Sequence, residues 1–99
     1  MRVPTKRQTT AKLFFAMGHQ RRLRILDLLT ASRDPLTYEQ IEIATCMSQG
    51  SLSHHLRLLS EVGLIERTIK SKYSYYSPNR ALLREFPQLE HQARHDLAA

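Results

Sequence analysis

Met47-Ser48-Gln49-Gly50-Ser51-Leu52-Ser53-His54-His55-Leu56-Arg57-Leu58-Leu59-Ser60-Glu61-Val62-Gly63-Leu64 joins a capped start, an apolar stripe, a polar face and a glycine stop. Stepped at about 100° per residue, Leu52, Leu56, Leu59, Val62 and Gly63 fall on one side of a helix, and Gly50, Ser53, His54, Arg57 and Glu61 fall away from it. The first side is built to face a core, and the second is free to meet a ligand. His55 lies on the shoulder of the apolar stripe, so the adjacent histidines divide: His54 outward, His55 structural. Ser48 can accept from an orphan N–H of the first turn, and Gly63 suits the left-handed position after the last. Gln49 and Ser51 project forward, where a helix entering the major groove reaches base edges. Glutamine can pair bidentately with adenine, whereas serine is less selective. The same angular pattern also suits an amphipathic helix with a solvated face, so the flanking sequence must decide.

Upstream, Thr37 and Gln40 stand in capping-box register and open a short helix to about Thr45, with Leu36, Ile41 and Ala44 inward. Cys46-Met47 connects it to the next helix, and Cys46 is expected to be semi-buried beside the turn. Two short helices joined tightly, the second with an exposed polar face, read as a helix-turn-helix. Before them, residues 10–17 form a short apolar helix stopped at Gly18, and residues 20–31 form a longer one around Leu23, Ile25, Leu26, Leu28 and Leu29. Ser32-Arg33-Asp34-Pro35 is a turn.

Downstream, the period changes. Leu64 to Ile69 and Tyr73 to Tyr76 are rich in β-branched and aromatic residues, with Lys70-Ser71-Lys72 between them. This predicts a two-stranded β-hairpin wing whose Lys70 and Lys72, assisted by Arg67, reach phosphates. So short a hairpin needs Ile65, Tyr73 or Tyr75 packed on the helical body. Asn79 caps a last helix that breaks at Pro87 and restarts to about Asp96. The fold class is therefore mainly α (α+β): a winged helix-turn-helix of about five helices over residues 10–99, preceded by a basic flexible arm at 1–9. Leu13, Phe14, Phe15, Leu82, Leu83, Phe86 and Leu89 offer more apolar surface than so small a domain buries, which predicts a homodimer through the first and last helices.

The 15 Lys and Arg exceed the 9 Asp and Glu to give +6, and residues 1–24 carry Arg2, Lys6, Arg7, Lys12, Arg21, Arg22 and Arg24 with no acid. Such clustering favours a polyanion, here double-stranded DNA. No run is long and apolar enough for a membrane span, and no secretory h-region is present, so a cytoplasmic protein is expected. One cysteine excludes an internal disulfide framework. Without a glycine-rich phosphate loop or a fixed nucleophile and base, no enzyme is expected, and no cofactor is implied.

The order of elements resembles the ArsR family of winged-helix repressors over roughly residues 10–90. The resemblance is carried by Leu13 to Leu29, by the segment Met47 to Leu56, and by the pair Tyr75-Tyr76. It implies a homodimeric operator-binding repressor, with Gln49, Ser51, Ser53 and His54 matching DNA-facing positions; Arg57, Lys70 and Lys72 join them on the residue reading above. Many members of that family release DNA on binding metal. Glu39 to Ala44 lacks the family's Cys-x-Cys arsenic site, and the tail lacks the Asp-x-His of its last-helix zinc site. His91 and His95, four residues apart, are the remaining metal candidates. A metal- or thiol-responsive sensor using His91/His95 or Cys46, an unidentified effector, or a winged helix that binds another protein are the alternatives.

Overall fold

The computed structural model describes residues 11–13, 15–16 and 18–85. The expected arm at 1–9, the break at Pro87 and the His91/His95 pair lie outside them. Helical residues 11–13 and 15–16 are followed by α1 (Gln20–Ala31), β1 (Leu36–Thr37), α2 (Tyr38–Thr45), α3 (Gln49–Glu61), β2 (Ile65–Lys70), β3 (Tyr73–Pro78) and α4 (Arg80–Glu85).

Local chemistry sets the boundaries. His19 Nδ1 accepts from the Arg21 N–H at 3.1 Å and starts α1, while Arg80 Nη2 donates to the carbonyls of Thr30 in that helix's last turn and of Ser32 just beyond it. The Thr37–Gln40 capping box is complete, with Gln40 N donating to Thr37 Oγ1 at 3.1 Å and Thr37 N to Gln40 Oε1 at 2.8 Å. Ser48 Oγ accepts from Ser51 N to open α3. At the other end Leu64 N donates to Leu59 O and Gly63 N to Ser60 O around Gly63 at φ +84°, a Schellman closure. Asn79 then ties three elements together: its Nδ2 donates to Gly63 O, its N–H to Leu64 O, and its Oδ1 accepts from Leu82 N at the start of α4.

The wing differs from the sequence expectation by one strand. β1 pairs antiparallel with β3, Leu36 opposite Tyr76 and Thr37 opposite Tyr75, giving a three-stranded sheet in the order β1-β3-β2. The cause is the capping box: an N-cap residue is extended (Thr37 φ −75°, ψ 161°), so the two residues entering α2 are already shaped to pair. This covers the free edge of β3.

The core collects Leu13 and Ala16, then Leu23, Ile25, Leu26 and Leu29 of α1, Ile41 of α2, Leu52, Leu56 and Leu59 of α3, and Leu64, Ile65, Tyr76 and Leu83 after it. Leu13 and Leu83, expected as surplus apolar surface, are thus buried within the chain itself. Two inward expectations are corrected, Ala44 and Cys46, and a third is narrowed to one residue. Ala44 is exposed, and Thr45 is buried in its place, its hydroxyl donating to Ile41 O at 2.7 Å. Of Ile65, Tyr73 and Tyr75, it is Ile65 that docks the hairpin on the body, joined by Tyr76; alternation along the strands puts Tyr76 on the face of Ile65 and leaves Tyr73, on the other face, 53% exposed. Cys46 is exposed rather than semi-buried, since it caps α2 in the left-handed conformation (φ 57°, ψ 28°) and turns outward.

Candidate nucleic-acid interface

Gln49, Gly50, Ser53, His54 and Arg57 form the exposed face of α3, with Ser51 half-buried at its edge. The Tyr38 hydroxyl lies 2.9 Å from Gln49 O, to which it donates, and 3.1 Å from Ser53 Oγ. It fixes the first helix of the motif against the first turn of the second, and it engages Ser53 on the exposed face of α3. Tyr38 was not among the residues singled out from sequence. The available signal was an aromatic with a polar tip at the first position of a capped helix, where such a tip normally finds a partner.

His54 and His55 separate as the angles require: His54 is exposed and His55 is buried. Their rings meet edge to face at 5.5 Å between centres, and the His55 ring lies 4.7 Å from that of His19. His55 Nδ1 and the nearby Arg22 Nε are buried without hydrogen-bond partners. Burial, then the charges of His19, Arg22, His54 and Arg21, push the His55 imidazole below its ordinary range. Arg22 keeps one contact, Nη2 to Phe15 O at 3.4 Å, and its guanidinium sits 5.7 Å over the Phe15 ring.

Arg57 Nε lies 4.0 Å from Glu61 on the exposed surface, a contact too weak to hold the side chain there. At the wing tip, β2 and β3 join through Ser71 and Lys72, with Ser71 at φ 57° and Lys70 and Lys72 exposed. Between α3 and the sheet runs a trough of about 580 Å³ lined by Tyr38, Ser53, Leu56, Arg57, Arg67 and Ser74, among others. A second concavity of about 440 Å³ lies at the turn, where Arg21 and Arg24 of α1 face Met47, Ser48 and Ser51. In sequence these arginines are only part of a basic N-terminal region; the fold brings them to the start of α3.

Among the described residues no three His, Cys, Asp or Glu side chains are placed to hold a metal ion, and no helix is long and apolar enough to cross a membrane. The Cys46 thiol, exposed in the turn, lies 3.7 Å from Ile43 O.

A family model described as a helix-turn-helix domain matches residues 17–68. Among solved structures, a crystal structure of a possible transcriptional regulatory protein (fragment 1–100) from Mycobacterium bovis is 30% identical at a TM-score of 0.72, over 87% of this chain and 91% of that one. A solution structure from the same organism, of the homodimeric winged helix-turn-helix DNA-binding domain of a possible ArsR-family transcriptional regulator, is 28% identical at 0.73, over 95% and 91%. A MarR-family transcriptional regulator from Silicibacter pomeroyi is 25% identical at 0.65, over 89% of this chain and 63% of that one. No curated protein sequence matches.

Proposed function

Since the chain belongs to the ArsR-type winged helix-turn-helix family of transcriptional regulators, we propose that it is a homodimeric repressor that binds an inverted-repeat operator in double-stranded DNA. One observation carries this reading: the face of α3 turned away from the core presents only Gln49, Gly50, Ser53, His54, Arg57 and Glu61, beside a wing tipped by Lys70 and Lys72. In this reading Gln49 and Ser51 meet base edges at the front of the helix, with Ser53 and His54 behind them. Arg57, Lys70 and Lys72 meet phosphates and set register without reading sequence. Selection from a random duplex pool, followed by salt titration, tests it. Enrichment of an inverted repeat with half-sites about one helical turn apart is expected. Gln49→Ala should relax preference at one position, whereas Lys70→Ala and Lys72→Ala should weaken all sequences alike. Equal losses on selected and random DNA from both sets would remove the division of roles.

A thiol-responsive form of the same regulator rests on Cys46, exposed in the turn between the two helices of the motif. Alkylation before a duplex titration tests it: loss of binding in the wild type and not in Cys46→Ser supports a thiol switch, and unchanged binding rejects it. Metal response through His91 and His95 is tested by Zn²⁺ equilibrium dialysis, where unchanged stoichiometry in the double alanine variant would discard that pair.

A further inference from the structure

The trough between α3 and the wing holds Arg67, expected from sequence only to assist Lys70 and Lys72, in a fixed orientation. Arg67 stands on β2 directly opposite Tyr76, on the sheet face shared with Ser74. Its Nε and Nη2 both donate to Ser74 Oγ, at 3.0 and 2.9 Å. A hydroxyl is neutral, so this contact fixes the plane of the guanidinium without cancelling its charge. Of the five N–H donors of an arginine, three remain. Glu61 also lines the trough, but among the described residues it is within ion-pair distance of Arg57 and not of Arg67. Across the trough stand Arg57 and the Tyr38–Ser53 hydroxyl pair. Charge, orientation and position therefore converge on an open trough between the helix and the wing.

From this geometry we infer that Arg67, oriented by Ser74, seats one backbone phosphodiester of the bound duplex in the trough between α3 and the wing. The inference rests on the DNA-binding reading and adds to it a positioning residue whose role is phosphate, not base. The arrangement is pre-organised: an arginine already held in plane loses less side-chain freedom on meeting the phosphate than the unrestrained Lys70 and Lys72 do. A small carboxylate held in the same trough would compete with DNA rather than anchor it.

The test needs no operator. Binding of wild-type protein to a labelled random-sequence duplex is measured over a KCl series, with melting temperatures of all variants recorded alongside. Each phosphate neutralised contributes about 0.9 to the slope of log K against log salt. Arg67→Ala should lower that slope by about 0.9 for each protomer engaged, and weaken binding roughly five- to tenfold at about 0.1 M salt, the gap closing toward about 1 M. Arg67→Lys should restore the slope. Ser74→Ala should keep the slope and weaken binding by a smaller, salt-independent factor. A wild type with a steep slope that Arg67→Ala leaves unchanged overturns the phosphate seat alone. A wild type that binds no duplex overturns the DNA reading and the seat with it. A loss in Arg67→Ala that persists undiminished at about 1 M salt assigns Arg67 to the fold and also overturns the inference.

Discussion

His55 shows how a single side chain couples the polar face of α3 to the interior. Its Nδ1 has no partner, its ring is packed against His19, and the described groups that face it, His19, Arg21 and Arg22 at the start of α1 and His54 on α3, are all cationic or able to become so. Its folded pKa is therefore lowered from the ordinary 6.5, burial being the largest cause. An unfolded chain then binds the proton more readily than the folded one. His55 contributes stability that is complete above the unfolded value and is lost as pH falls from about 6.5 through the folded one. Melting followed from about pH 7.5 to about pH 5 should fall steadily. In His55→Phe the fall should be shallower; an equally steep fall would place the sensitivity elsewhere. The separation of His54 from His55 was legible in the sequence, because it follows from helical angle alone. The engagement of Ser53 by Tyr38 was not: the residues are fifteen apart, and only the crossing of α2 over α3 brings them together.

The same contrast holds for the elements. Ends with a local cause, the Thr37–Gln40 box, Ser48 and Gly63, could be read directly, since each partner lies within a few residues. The strand at Leu36–Thr37 could not, because two residues carry no period and their partner lies on β3. Gly50 is the position where element and function diverge. A Cβ there would meet nothing within 4 Å, and its φ is not positive, so the fold asks for no glycine. Gly50→Ala should raise stability by up to about 1 kcal/mol, the ordinary helical difference between the two residues. If α3 enters the major groove, the added methyl stands where the backbone approaches DNA, so the stabilised variant should bind duplex less well. Denaturant unfolding and duplex titration on one preparation read both effects; a gain in stability with unchanged affinity would place Gly50 away from the contact. Cys46→Gly provides the matching control at the turn. It relieves a left-handed non-glycine residue and should stabilise by roughly 1 kcal/mol.

At the scale of the whole molecule, the unresolved balance is apolar surface. Phe15 is 71% exposed ahead of α1, with the Arg22 guanidinium over its ring and the Arg22 Nη2 bound to its carbonyl. Such a contact orients the ring without covering it. Burying most of that ring against a second copy would contribute about 1.5–3 kcal/mol per protomer, a useful part of what a small dimer needs. The homodimeric state belongs, on the comparisons, to the Mycobacterium bovis domain; for this chain it is a prediction with a direct test. Phe15→Glu puts a charge where the partner's apolar surface would sit and disturbs no described core residue. By light scattering the wild type should run at twice the chain mass of 11.5 kDa and the variant at the chain mass. Because the second recognition helix binds at the effective concentration set by the first, losing the dimer should cost roughly 10²- to 10⁴-fold on an inverted repeat. The loss on a single half-site should be small, since each protomer keeps its own α3 and wing. A variant that stays dimeric would move the interface away from Phe15. A monomeric variant that keeps full affinity for the inverted repeat would show that one helix-turn-helix suffices.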